Sequence, residues 1–168
     1  MCICTGCCNI LRLLKDERYV MNELQDYIPH ELKKQIIDIA SENKICPVYR
    51  VDKSGTGELT FLSSTYEEFC NGGNFSEKYS KDDISTYSTS VYDAPDSCER
   101  YIKSMGRKVR EKFPSPKIMV GSIQNGLSVH TFEYKMNYKD RTHIDWWIYK
   151  GQKEEAMKSF EEYVANEE

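Results

Sequence analysis

Apolar positions change their spacing several times along the chain, and each change predicts an element. Leu32, Ile36, Ile39 and Ala40 recur at helical intervals behind Pro29, a residue suited to a first helical position. A helix is therefore expected over 29–42. Ile45 to Val51 is a short apolar run rich in strand formers, closed by the turn chemistry of residues 52–57, and Leu59 to Leu62 reads as a further short strand. Ser64 and Glu67 have the spacing of a capping box, which predicts a helix over 65–70 stopped by Asn71-Gly72-Gly73. Residues 71–83 have no periodicity and form a long loop, of the kind that can cover a site.

Tyr87 to Tyr92 alternates like a strand, and Asp93-Ala94-Pro95 opens a helix with Cys98, Tyr101, Ile102, Met105 and Val109 on one stripe. The opposite face is basic, and Pro114 and Pro116 end the helix. Asn125-Gly126 is a pair favoured in type I′ turns, so residues 117–123 and 127–134 are expected to form a hairpin. A strand over 142–149 and an acidic helix over 152–165, burying Ala156, Phe160, Tyr163 and Val164, complete the order. Helices and strands mix without strict alternation and no repeat is visible. The expected fold class is α+β, a mostly antiparallel sheet with flanking helices.

At 168 residues, with 39% hydrophobic and 30% charged positions, the chain is long enough for one core and too apolar for disorder. Its net charge of -4 argues against general binding to nucleic acid or membrane surfaces. Four of the seven cysteines lie at Cys2, Cys4, Cys7 and Cys8. The other three are scattered, which suits packed thiols in a reducing, cytoplasmic setting. The N-terminal stretch lacks the pattern of a secretory signal, and its cysteine spacing alone does not make a metal site. Translation from Met21 is the simpler reading, leaving residues 1–20 as an extension or loose tail ahead of a single domain over 21–168.

His143-Ile144-Asp145-Trp146-Trp147 is the most unusual local string. On a strand, His143, Asp145 and Trp147 share one face, and a carboxylate two residues from an imidazole can orient the ring for proton transfer. The plainer alternative makes both tryptophans core anchors. His130 lies on another expected strand; convergence with His143 would supply the acid and base of a metal-independent ribonuclease. Arg50 interrupts an apolar strand: buried, its guanidinium needs either partners or an anionic ligand, while the plainer alternative puts it at the strand end with its head in water.

In order of elements, residues 45–135 resemble ADP-ribosyltransferase-type domains. Arg50 sits on an early strand, Tyr87-Ser88-Thr89-Ser90 leads into a helix bearing Tyr101, and Ile118-Met119-Val120-Gly121 follows. The resemblance implies NAD held by the arginine and the Ser-Thr-Ser strand, with a late glutamate driving transfer. By position, Arg50 would contact phosphate, Ser88 and Ser90 would support the nicotinamide end, and Glu133 would supply the carboxylate, with Asp145 competing for that role. The Tyr-Ser-Thr-Ser and His-Ile-Asp-Trp-Trp-Ile-Tyr strings also resemble small bacterial proteins of no assigned activity.

Two functions are thus expected from different classes. One is a bacterial or mobile-element protein that binds NAD or another nucleotide through Arg50, Ser88 and Ser90, with Glu133, His143 and Asp145 as candidate catalytic groups. The other is a non-catalytic module of immunity or anti-defence type that binds one protein partner. Its 12 tyrosines suit such an interface.

Overall fold

The computed structural model describes residues 20–21, 23–72 and 80–165. The expected extension, its cysteines and most of the expected loop at 71–83 lie outside the described residues. Pro29 caps α1 (His30–Ile39), which buries Leu32 and Ile36. The chain continues through β1 (Val48–Asp52), a 3-10 turn (Leu59–Leu62), α2 (Thr65–Cys70) and a second 3-10 turn (Ile84–Tyr87). Then follow β2 (Thr89–Tyr92), α3 (Pro95–Ser104), α4 (Arg107–Lys112), β3 (Lys117–Gly121), β4 (Gly126–His130) and α5 (Thr131–Tyr134). β5 (His143–Ile148), α6 (Lys153–Met157) and the two-residue β6 (Glu161–Glu162) close it.

The fold is α+β: six strands form one sheet in the order β4-β5-β2-β1-β3-β6, each neighbouring pair antiparallel. The two faces carry different cores. Val48, Val91, Met119, Ile144, Trp146 and Ile148 pack on one face beneath Phe61, Leu62 and Ala156. On the other, Leu127, Val129 and Trp147 meet α1, while Val51 meets Cys98 and Met105 at the α3 end. Both tryptophans of β5 are therefore core anchors, on opposite faces.

Four sequence expectations are corrected. Residues 59–62 turn as a 3-10 helix because Phe61 and Leu62 must both reach the same core, which strand alternation forbids. The helix expected over 95–112 breaks at Met105-Gly106: Met105 takes extended backbone and buries its side chain, and Gly106 caps α4. The acidic C-terminal helix stops at Met157, and Glu161–Glu162 pairs instead with β3, leaving Val164 exposed.

The fourth correction concerns the hairpin. β3 and β4 do not pair; β3 lies between β1 and β6, while β4 is the opposite edge, beside β5. Residues 122–125 cross between them with Ile123 buried in the core and its N–H donating to the Ile45 carbonyl at 2.9 Å. Asn125 does have a positive φ of 55°, but Gly126 begins a strand. The glycine is needed there for close approach, since a Cβ would sit 2.3 Å from the Trp147 carbonyl oxygen and 2.8 Å from Trp146 Nε1. Gly126→Ala should therefore cost ~1–3 kcal/mol, read as a lower denaturant midpoint with an unchanged slope.

Candidate functional site

The sheet is split at its centre. β1 pairs with β3 at five positions and β2 with β5 at four, yet β1 and β2 meet only at Tyr49 and Tyr92. Toward Asp52 and Ser88 the two strands part, and the Arg50 side chain fills the gap. Arg50 is 8% exposed. Its Nε donates to the Phe61 carbonyl, Nη1 to the Ser90 carbonyl of β2, and Nη2 to the Ser63 carbonyl at 2.8 Å. The guanidinium thus supplies a donor to β2 where a fully paired β1 would have supplied its backbone N–H.

A cleft of about 780 Å³ opens at this split. The register puts Arg50 on the Trp146 face and Ser88, Ser90, Tyr92 and His143 on the other, so the lining comes from both sides of the sheet. Tyr101 of α3, Tyr138, and Lys108 and Lys112 of α4 complete the wall. No carboxylate forms an ion pair with Arg50 among the described residues. Of the acids lining the cleft, Glu68 is held by Lys53 at 2.8 Å, and Asp52 accepts from the N–H groups of Ser54 and Gly57. Burial pulls the Arg50 pKa down, opposed by Glu68, Tyr92 and Tyr101, but a guanidinium starts so high that it stays charged.

Behind the cleft lies a buried polar network centred on Asp145, which is fully buried. Three hydroxyls donate to its carboxylate, Thr131 and Tyr134 at 2.6 Å and Ser88, while Ser85 Oγ lies 3.3 Å from it and 2.6 Å from the Tyr134 oxygen. Such a cluster is what a buried carboxylate needs in place of water. Beside it, Thr131 Oγ1 also bonds His143 Nδ1. The imidazole packs against Tyr92 and Tyr138, with ring centroids 5.2 and 5.1 Å away. Burial lowers the His143 pKa; Asp145 and Asp140 pull it up, while Arg50 and Lys135 reinforce the lowering. The phenols of Tyr92 and Tyr134 are pushed well above the usual range, chiefly by burial.

Of the residues singled out from sequence, Arg50, Ser88, Ser90 and His143 line one cleft, and Asp145 lies directly behind it. Glu133 does not join them. It lies on α5 rather than on a strand, is half exposed, and faces His130 Nδ1 at 3.4 Å. His130 is also kept from His143: it pairs with Ile144, the position that points to the opposite face, and its Nε2 lies 3.1 Å from Asp93. The two histidines do not form an acid–base pair. Ser85, Thr131, Tyr134 and Tyr138 were not singled out. Thr131 and Tyr134 fall close to Glu133 in sequence, but hydroxyls carry no local pattern that would mark them as partners of Asp145.

Among the described residues, no group of three or more His, Cys, Asp and Glu side chains could hold a metal ion, and no helix is long and apolar enough to cross a membrane. Comparisons with known protein families, curated proteins and solved structures find no match.

The lowered His143 pKa fixes the sign of a pH effect. The unfolded chain takes up this proton near pH ~6.5 and the folded chain only at lower pH, so stability falls as pH drops through that window. Urea midpoints measured from about pH 8 down to about pH 5 should decline, and His143→Gln should flatten that part of the profile. A wild-type midpoint that rises on acidification through this range would contradict the assignment.

Proposed function

We propose that the cleft binds a phosphorylated, aromatic ligand of the nucleotide class, with NAD and ADP-ribose as its nearest chemical representatives. The observation that carries this reading is the charge of Arg50. It is buried in the wall of a cleft, its hydrogen bonds go to carbonyl oxygens, and it forms no ion pair among the described residues. A phosphate is the ligand that such a guanidinium accommodates best, because it presents paired oxygens to a planar donor. Lys108 and Lys112 add positive charge on the same wall, and Tyr92, Tyr101 and Tyr138 offer faces for a base or nicotinamide ring. Ser90 adds a hydroxyl at the strand position that the ADP-ribosyltransferase resemblance assigns to NAD.

That resemblance supports binding more than transfer. Glu133, its expected catalytic carboxylate, stands away from the cleft, and Glu68 is committed to Lys53. A cytoplasmic setting suits the reading, since Cys46, Cys70 and Cys98 are free thiols. The second reading, a protein-binding module, is favoured by one feature: Phe69, Tyr101 and Val109 are exposed along the rim of the same cleft.

Thermal-shift titration with NAD, ADP-ribose, AMP and inorganic pyrophosphate tests the ligand class. At a hundredfold excess over Kd, binding stabilises by ~2.7 kcal/mol, or about 5–10 °C for a chain of this size. Arg50→Lys should abolish most of the shift, because a compact ammonium cannot bridge the carbonyls and grip phosphate together. No shift with any of the four compounds would overturn the proposal.

A further inference from the structure

The network around Asp145 fixes where the proton of His143 sits. Thr131 has one hydroxyl hydrogen and two acidic or basic neighbours. Its oxygen is 2.6 Å from Asp145 Oδ2, a separation that two oxygens tolerate only with a hydrogen between them. The carboxylate supplies none, so the Thr131 hydrogen points to Asp145. Thr131 Oγ1 must then accept from His143, which places the imidazole hydrogen on Nδ1. In the neutral ring, Nε2 is left with a lone pair. It meets no hydrogen-bond partner among the described residues, although His143 is only 6% exposed and lines the cleft.

We propose that His143 is the general base of the cleft, with Thr131 and Asp145 as the positioning residues that hold its tautomer, and that the reaction is hydrolysis of a phosphoric anhydride. The proposal rests on the ligand reading above and extends it to a substrate class and a reaction.

A water beside Nε2 gives up a proton to it as the O–H bond breaks. The water oxygen forms a bond to phosphorus, and the bridging P–O bond breaks with its electron pair leaving on the departing phosphate. Nε2 later releases its proton to solvent. Arg50 holds the charge that builds on the phosphoryl oxygens.

The leaving group follows from what the cleft lacks. Of the two carboxyl groups among its described lining residues, Glu68 is engaged by Lys53 and Asp52 by backbone N–H groups. The Tyr92 phenol is held too basic to release a proton readily. With neither carboxyl group of the cleft free to act as a general acid, a leaving group that departs unprotonated is favoured. A phosphate does so and an alkoxide does not, which favours an anhydride over a simple ester.

The groups facing His143 are Asp145 on its own strand, Thr131 of α5, Tyr92 of β2, Tyr138 and Asp140 of the preceding segment, and Arg50 and Lys135 farther off. Burial and the two cations favour the neutral ring, as a base requires.

Two measurements separate this inference from the binding reading. In ligand-free protein labelled with nitrogen-15 histidine, the His143 shifts at neutral pH should show a protonated Nδ1 and a bare Nε2. Thr131→Val should release the ring toward the other tautomer. A wild-type ring protonated on Nε2 would overturn the proposal, whatever the ligand results. With NAD or ADP-ribose, phosphorus NMR should show the pyrophosphate split into two monophosphates. His143→Gln should slow this ~10²–10⁴-fold while the thermal shift from ligand persists. The wild-type rate should fall with acidification as His143 protonates. A ligand that binds wild-type protein but is not cleaved, or is cleaved equally by His143→Gln, would refute the base. Absence of any binding would remove the ligand reading and this reaction with it, while the tautomer would still be seen.

Discussion

The central constraint is the insertion of one guanidinium into the middle of the sheet. β1 and β2 pair only once, so carbonyls that a continuous ladder would satisfy need other donors. Arg50 serves Ser90 on β2 and reaches up to Phe61 and Ser63, which precede α2. The same side chain therefore joins the two strands and anchors the segment that roofs them. A methionine or leucine of similar volume could fill the space but could not satisfy the carbonyls. The positive charge follows from that requirement, and the carbonyls solvate it without cancelling it.

On the other side of the split the polarity is inverted. Asp145 is a buried anion held by hydroxyls, with Lys135 reaching it indirectly through Ser85 at 2.8 Å. Two apolar cores flank this network, one under α1 and one under α3, so its geometry is set by packing on both sides. A half-satisfied network would cost more than an apolar core, whereas a full one fixes a single arrangement of side chains. Rigidity of this kind is what a site needs if an imidazole is to keep one tautomer. It also explains why β5 carries His143 and Asp145 between large core residues: Ile144, Trp146 and Ile148 hold the opposite face while Trp147 holds this one, its indole N–H bonded to the Ile84 carbonyl at 3.1 Å.

Local chemistry made some of this legible in the sequence. Ser64 and Glu67 form the expected capping box, and α2 spans Thr65–Cys70 as expected. Strand alternation correctly placed His143, Asp145 and Trp147 on one face, and the anomaly of an arginine in an apolar run marked Arg50. What failed required tertiary information. Asn125-Gly126 carries a hairpin signal, but the backbone of β5 lies so close that the glycine is used for approach, and β3 finds β1 instead. Glu133 reads as a strand residue in sequence because the chain turns helical only at Thr131, whose hydroxyl bonds Asp145. The partners Ser85, Ser88 and Thr131 are separated from Asp145 by 14 to 60 residues, and only the folded register brings them together.

The acidic net charge and a cleft lined by unpaired cations are compatible because the charges are sorted by position. Many surface ion pairs are closed locally: Lys103 with Glu99, Arg107 with Glu111, Lys117 with Glu162 and Lys158 with Glu155. Such exposed pairs add little stability, ~0–1 kcal/mol each, but they remove those cations from competition for a ligand. Arg50, Lys108 and Lys112 form no such pair among the described residues, and all three line the cleft. A concave wall of low polarizability concentrates the field of those few charges, so the local potential opposes the sign of the whole molecule. The sheet split therefore creates two things at once: a space large enough for a nucleotide-sized ligand, and an unneutralised cation that the fold itself cannot dispense with.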